Sequence, residues 1–239
     1  MKTMLITDLV VARNILLQLL GICIVVGLVM SFAMETTVGG VAAVAAMAPF
    51  MYLFSMAGID ELNGWERFRL TLPMSRRQVM FGRYASMLVV TVSAVAIAFL
   101  IGVIAAAAAS GLSDGQPDAR LTLMSLDFNP PAAILVSVVS AALVILLAST
   151  IALPLIARFG VTKATRFVPL AFVIIVALGV GFFGENIANF TFLANLESAI
   201  DAGNWGVLLG GFGIASVVVI ALYVGSAFVA AKLYEQRQF

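Results

Sequence analysis

Gly58 to Arg83 reads GIDELNGWERFRLTLPMSRRQVMFGR, a charged interruption between two long apolar runs, and it carries five of the thirteen basic residues. At helical spacing Ile59, Leu62, Trp65, Phe68 and Leu72 share one face, while Asp60, Glu61, Asn63, Glu66, Arg67 and Arg69 largely fill the rest. A short amphipathic helix follows from that pattern. Pro73 disfavours helical geometry at Leu72, so the helix is expected to stop there. Ser75 with Gln78 forms a capping box for a new helix, and Met74 can close a hydrophobic staple on Val79. The interruption is thus an ordered connector between two apolar segments.

Outward from this stretch the chain is 63% hydrophobic and only 10% charged, with a mean hydropathy of +1.14. A soluble domain cannot bury that much apolar side chain, so the fold class is an all-α membrane protein. At roughly 20 residues per crossing plus connections, the 239 residues hold about six spans as one membrane domain. A net charge of +1 gives no reason to expect a nucleic-acid partner. Cys23 is the single cysteine and lies in an apolar run, where it packs against core or lipid. The chain has no histidine, which removes the commonest general base and every His-ligated metal site. No metal site is expected.

The six transmembrane helices are expected at about 15–33, 41–57, 84–109, 132–157, 167–184 and 205–231. Before the first, Met4 to Ala12 is expected as an N-terminal interfacial helix, with Lys2, Asp8 and Arg13 toward water or headgroups. The start lacks a short apolar core followed by a small-residue cleavage site, so the first helix is expected to be retained. Glu35 with Gly39 and Gly40 suits a tight turn after the first span. Pro49 and Pro154 fall inside the second and fourth spans and are expected to kink them. Trp205 and Tyr234 are placed like interfacial anchors at the two ends of the last span, and Gly206 and Gly210 give it a GxxxG spacing.

Charge sets the orientation. With both termini cytoplasmic, twelve of the thirteen basic residues lie inside and only Arg120 lies outside. The segment of Gly58 to Arg83 then faces the cytoplasm, as does the basic turn containing Arg158, Lys163 and Arg166. No span carries an ionisable residue near its centre, which weakens an ion-coupled secondary transporter. No G-x-x-x-x-G-K-[ST] loop exists, so this chain is not expected to hydrolyse ATP itself.

An acidic residue before NGWERF, then LPMSRRQ and a helix start at Arg83 and Tyr84, resembles the membrane subunits of ATP-binding-cassette transporters of the type-2 exporter class, in its small bacterial six-helix kind. Ala152 to Pro169, with Pro154, Phe159, Gly160, Lys163 and Arg166, also looks like that family's second cytoplasmic turn. The resemblance implies a cytoplasmic coupling helix between helices 2 and 3 that docks on a separate ATPase. Its contacts would come from Glu61, Trp65, Glu66, Arg67, Phe68, Leu72, Pro73, Ser75, Arg76 and Arg77 in the first loop. Arg158, Phe159, Gly160, Lys163 and Arg166 would serve in the second. It further implies two cytoplasmic ATPase subunits holding ATP and Mg, a second permease copy or paralogue forming a dimer, and a multi-pass place in a bacterial plasma membrane among its lipids. The cargo implied is a peptide, antimicrobial compound or lipid-like molecule, and uncharged spans suit an amphipathic or hydrophobic one. The alternatives are a non-transporting assembly or immunity factor and an ion-coupled carrier.

Overall fold

A computed structural model of the chain describes residues 2–33, 35–62, 75–112, 125, 130–160, 174 and 205–236. Five helices run through them: α1 (Lys2–Ala33), α2 (Thr37–Leu62), α3 (Arg76–Leu112), α4 (Pro131–Phe159) and α5 (Trp205–Glu235). Among the described residues there is no strand, and all five helices are long and apolar enough to cross a membrane. At 1.5 Å per residue, the 37 residues of α3 reach about 55 Å, well beyond a hydrocarbon core of about 30 Å. Helices α2, α3 and α4 overshoot the expected spans at both ends, α1 only at its start and α5 only at its end. The expected fifth span, 167–184, and the opening helix from Asn63 onward lie outside the described residues, save Ile174.

Helix α2 is central, packing against α1, α3 and α4, while α5 packs on α4 and α3. Two apolar clusters fill the bundle. One gathers Met56, Val79, Met80, Leu153, Ile156, Ala230 and Tyr234, the other Cys23, Val44, Ala98, Ile134 and Val138. The outward surface is also apolar: Val10, Ile104, Ile214, Val217 and Phe228 each expose more than half of their area, as lipid contact requires.

The first hairpin is tighter than the sequence suggests. Gly39 and Gly40 are in the first turn of α2, and the reversal falls on Glu35, at φ 56°, and Thr36, whose Oγ1 accepts from the Val38 N–H at 3.3 Å. Gly40 instead lets two helices touch. A Cβ there would stand 2.4 Å from the Gly27 carbonyl oxygen and closer still to Ser31 Oγ, so no side chain fits without parting α1 from α2. Gly40, which reads as a turn former, is a packing residue.

The N-terminal stretch is corrected as well. No break separates an interfacial helix from the first span; α1 is one helix of 32 residues. No proline or glycine interrupts it before Gly21, and its first turns dock on α3 where Gly82 leaves room for Met4. A Cβ at Gly82 would lie 2.6 Å from Met4 Cγ. Met4, Asp8 and Ala12, four residues apart, are all buried, so Asp8 faces neither water nor headgroups. Tyr234, expected at the interface, is buried too. Likewise α2 continues through Gly58 to Leu62, so the first residues of the expected amphipathic helix are the end of α2.

Pro49 and Pro154 sit inside unbroken helices. Pro154 has no N–H to give to the carbonyl four residues earlier, that of Thr150. Ser226 of α5 replaces it, donating from Oγ to the Thr150 oxygen at 2.6 Å. Because that bond uses the only Ser226 hydroxyl proton, Tyr84 must be the donor in its 2.9 Å contact with Ser226 Oγ. Tyr223 OH then donates to the Tyr84 carbonyl at 2.9 Å, with the two rings 4.9 Å apart. This chain of hydroxyls ties α3, α4 and α5 together in a place where water cannot substitute.

Candidate functional site

All five helices bring charge or polarity to one end of the bundle. Asp60, near the end of α2, forms an ion pair with Arg83 in the third turn of α3, and both side chains are largely buried. The pair therefore joins the two ends of the charged segment. Asp8 of α1 lies within electrostatic reach of Arg83, and Tyr52 of α2 is within reach of Asp8, Asp60 and Arg83. Ser86 Oγ caps the back of the cluster by donating to the Arg83 carbonyl at 2.9 Å. Two carboxylates near one guanidinium, shielded from water, form a site in which loss of the single cation strands both carboxylates.

Beside the pair is a void of about 20 Å³, enough for one water, lined by Asp60, Val79, Met80, Arg83, Leu153, Ile156, Ala157 and Tyr234. Its walls come from α2, α3, α4 and α5. The end of α2, the start of α3 and the end of α4 thus meet at one point, and both basic loops depart from it.

The start of α3 has the expected capping box. Ser75 Oγ accepts from the Gln78 N–H and Gln78 Oε1 accepts from the Ser75 N–H, each at 3.3 Å. Met74, the other half of the expected staple, lies outside the described residues. Arg76 and Arg77 are not simply loop charges. Arg77 forks onto the Glu235 carboxylate at 2.7 and 3.3 Å, and Arg76 Nη1 donates to the Glu235 carbonyl at 2.9 Å, so the head of α3 holds the tail of α5. Glu61 is exposed in the last turn of α2.

At the end of α4, Arg158 lies over the Phe159 ring at 5.7 Å, and Gly160 closes the helix with φ 77°, its N–H bonded to the Ile156 carbonyl at 3.0 Å. That φ is why glycine stands there. Trp65, Glu66, Arg67, Phe68, Leu72, Pro73, Lys163 and Arg166 lie outside the described residues. Sequence reading missed Asp8, Tyr52, Tyr84, Thr150, Tyr223 and Ser226 as interacting groups. The spacing of Met4, Asp8 and Ala12 was the available signal for Asp8; the interhelical hydroxyls leave none.

Among the described residues no group of carboxylates and cysteine is placed to hold a metal ion. No curated protein and no solved structure matches the chain. Residues 3–235 match the family model described as ABC-2 family transporter protein, which spans the whole helical bundle and the charged segment between α2 and α3. Membrane helices, a clamped basic loop and that match agree: the chain belongs to the ABC-2 transporter family, as a membrane-embedded permease whose family works with a partner ATPase.

Proposed function

We propose that this permease is the membrane half of an exporter, with both termini and the loops after Leu62 and Gly160 in the cytoplasm of a bacterial cell. Two copies, or this chain and a paralogue, form the pathway, and two ATPase subunits holding ATP and Mg dock below. One observation carries the reading: the helix ends that flank both loops converge on the void beside Asp60 and Arg83. A push on either loop is thereby delivered to four helices at once. Trp65, Phe68 and Leu72 give the first loop apolar anchors, with Glu66 and Arg67 beside them for register and Pro73 ending the docking helix. Lys163 and Arg166 extend the second loop beyond Arg158.

The orientation is supported by charge. The basic side chains of Arg13, Arg76, Arg77, Arg83, Arg158 and Lys232 all belong to the half of the bundle that holds the Asp60 pair. A sixth span is supported by topology. Leu135 and Val139 of α4 face Leu209 and Phe212 of α5, and Thr150 faces Ser226, so α4 and α5 run parallel and the connection between them must return across the membrane. The expected span at 167–184 supplies that return.

The central stretches of α1 to α5 carry no charged residue, which favours an amphipathic or hydrophobic cargo over a free ion. In a Cys23→Ser background, a membrane-impermeant thiol reagent applied to intact cells is expected to label a cysteine at Asp118 and spare one at Lys163; the reverse would refute the orientation. Purified alone in lipid, the chain is expected to hydrolyse no ATP, whereas the ATPase that co-purifies with it should turn over faster in its presence. Robust hydrolysis by a preparation free of other subunits, or a companion ATPase indifferent to the permease, would overturn the function.

A further inference from the structure

A recess of about 430 Å³ opens between the head of α3 and the tail of α5, lined by Arg77, Phe81, Phe228, Ala231, Lys232, Glu235 and Gln236. Its floor is apolar. Phe81 and Phe228 meet edge to face with ring centroids 5.2 Å apart, and Phe228 leaves 62% of its area exposed. Its rim is cationic. Arg77 neutralises Glu235 through two bonds, which leaves the exposed ammonium of Lys232 as the uncompensated charge, with no ion pair among the described residues.

We propose that this recess is a binding site for an anionic glycerophospholipid, its phosphate on Lys232 and the beginning of an acyl chain on Phe81, Phe228 and Ala231. Charge complementarity and depth select this occupant. The recess straddles the ends of the expected spans, with Phe228 and Ala231 inside 205–231 and Arg77, Phe81 and Lys232 beyond the spans, so an apolar floor and a cationic rim are offered together to a lipid. A zwitterionic lipid lacks the net charge to match the rim, and free phosphate makes no use of the aromatic floor. Its volume falls in the range of sites that enclose a small ligand.

Thermal unfolding of the detergent-purified protein tests this with phosphatidylglycerol, phosphatidylcholine or inorganic phosphate added. Phosphatidylglycerol is expected to raise the melting temperature, and the other two are not. In Lys232→Gln the phosphatidylglycerol needed for half of that rise should increase about 5-fold, the effect of one basic charge near an anionic surface. Lys232→Arg should respond as the wild type does. Arg158→Gln, which removes an exposed charge from the same half of the bundle but not from the recess, should also keep the response. Equal loss in Lys232→Gln and Arg158→Gln would reduce the effect to general attraction and overturn the site. So would a rise from phosphatidylcholine or phosphate equal to that from phosphatidylglycerol, or an unchanged response in Lys232→Gln.

Discussion

Arg83→Leu is expected to destabilise the bundle by about 3–5 kcal/mol, because it leaves the Asp60 carboxylate buried without its cation and Asp8 beside it. The effect exceeds that of a surface ion pair because neither partner can turn to water. Asp60→Asn should cost less, since an amide oxygen still accepts from the guanidinium. The double variant Asp60→Leu with Arg83→Leu should recover part of the loss, as apolar replacement of both partners does elsewhere. Unfolding in detergent measures all three. Arg83→Leu melting with the wild type would mean that the pair is held in water, contrary to its burial here.

Ser226→Ala is expected to cost about 2 kcal/mol, since the Thr150 carbonyl and the Tyr84 hydroxyl each lose a partner at about 1 kcal/mol apiece. The two losses have different causes, and a second substitution separates them. Pro154→Ala restores a backbone N–H for the Thr150 carbonyl, so in that background Ser226→Ala should cost about half as much. A double-mutant cycle would therefore show coupling of about 1 kcal/mol between residues on different helices. Additive costs would mean that Ser226 does not answer the bond that Pro154 removes.

These two clusters mark the boundary of what the sequence discloses. The class of fold was legible from hydropathy alone, and Ser75 with Gln78 announced the start of α3 because a capping box is local. Helix ends were read too short because charged residues were taken to mark water. Asp60 and Arg83 lie 23 residues apart and satisfy each other, which permits a helix to carry them inward. Pro154 was visible, but the hydroxyl that compensates for it belongs to a helix 76 positions further along, a distance no local pattern spans. Gly40 misled for the same reason, since its contact is with α1 and not with its own turn.

The anchors proposed for the ATPase, by contrast, rest on sequence pattern joined to the clamp that holds their loop. Asp60 and Arg83 fix both ends of the segment that carries Trp65, so a partner seated on Trp65 would act on α2 and α3 together. The most direct measurement is the amount of ATPase retained per permease on purification, for Trp65→Ala beside Arg67→Ala and the wild type. Loss of a central aromatic anchor is expected to weaken docking by about 2 kcal/mol or more, roughly 30-fold, whereas loss of a rim charge costs much less. The account predicts that Trp65→Ala inserts normally but releases the ATPase while Arg67→Ala largely keeps it. Equal retention in the two variants, with both at the wild-type level, would contradict the docking role of this loop.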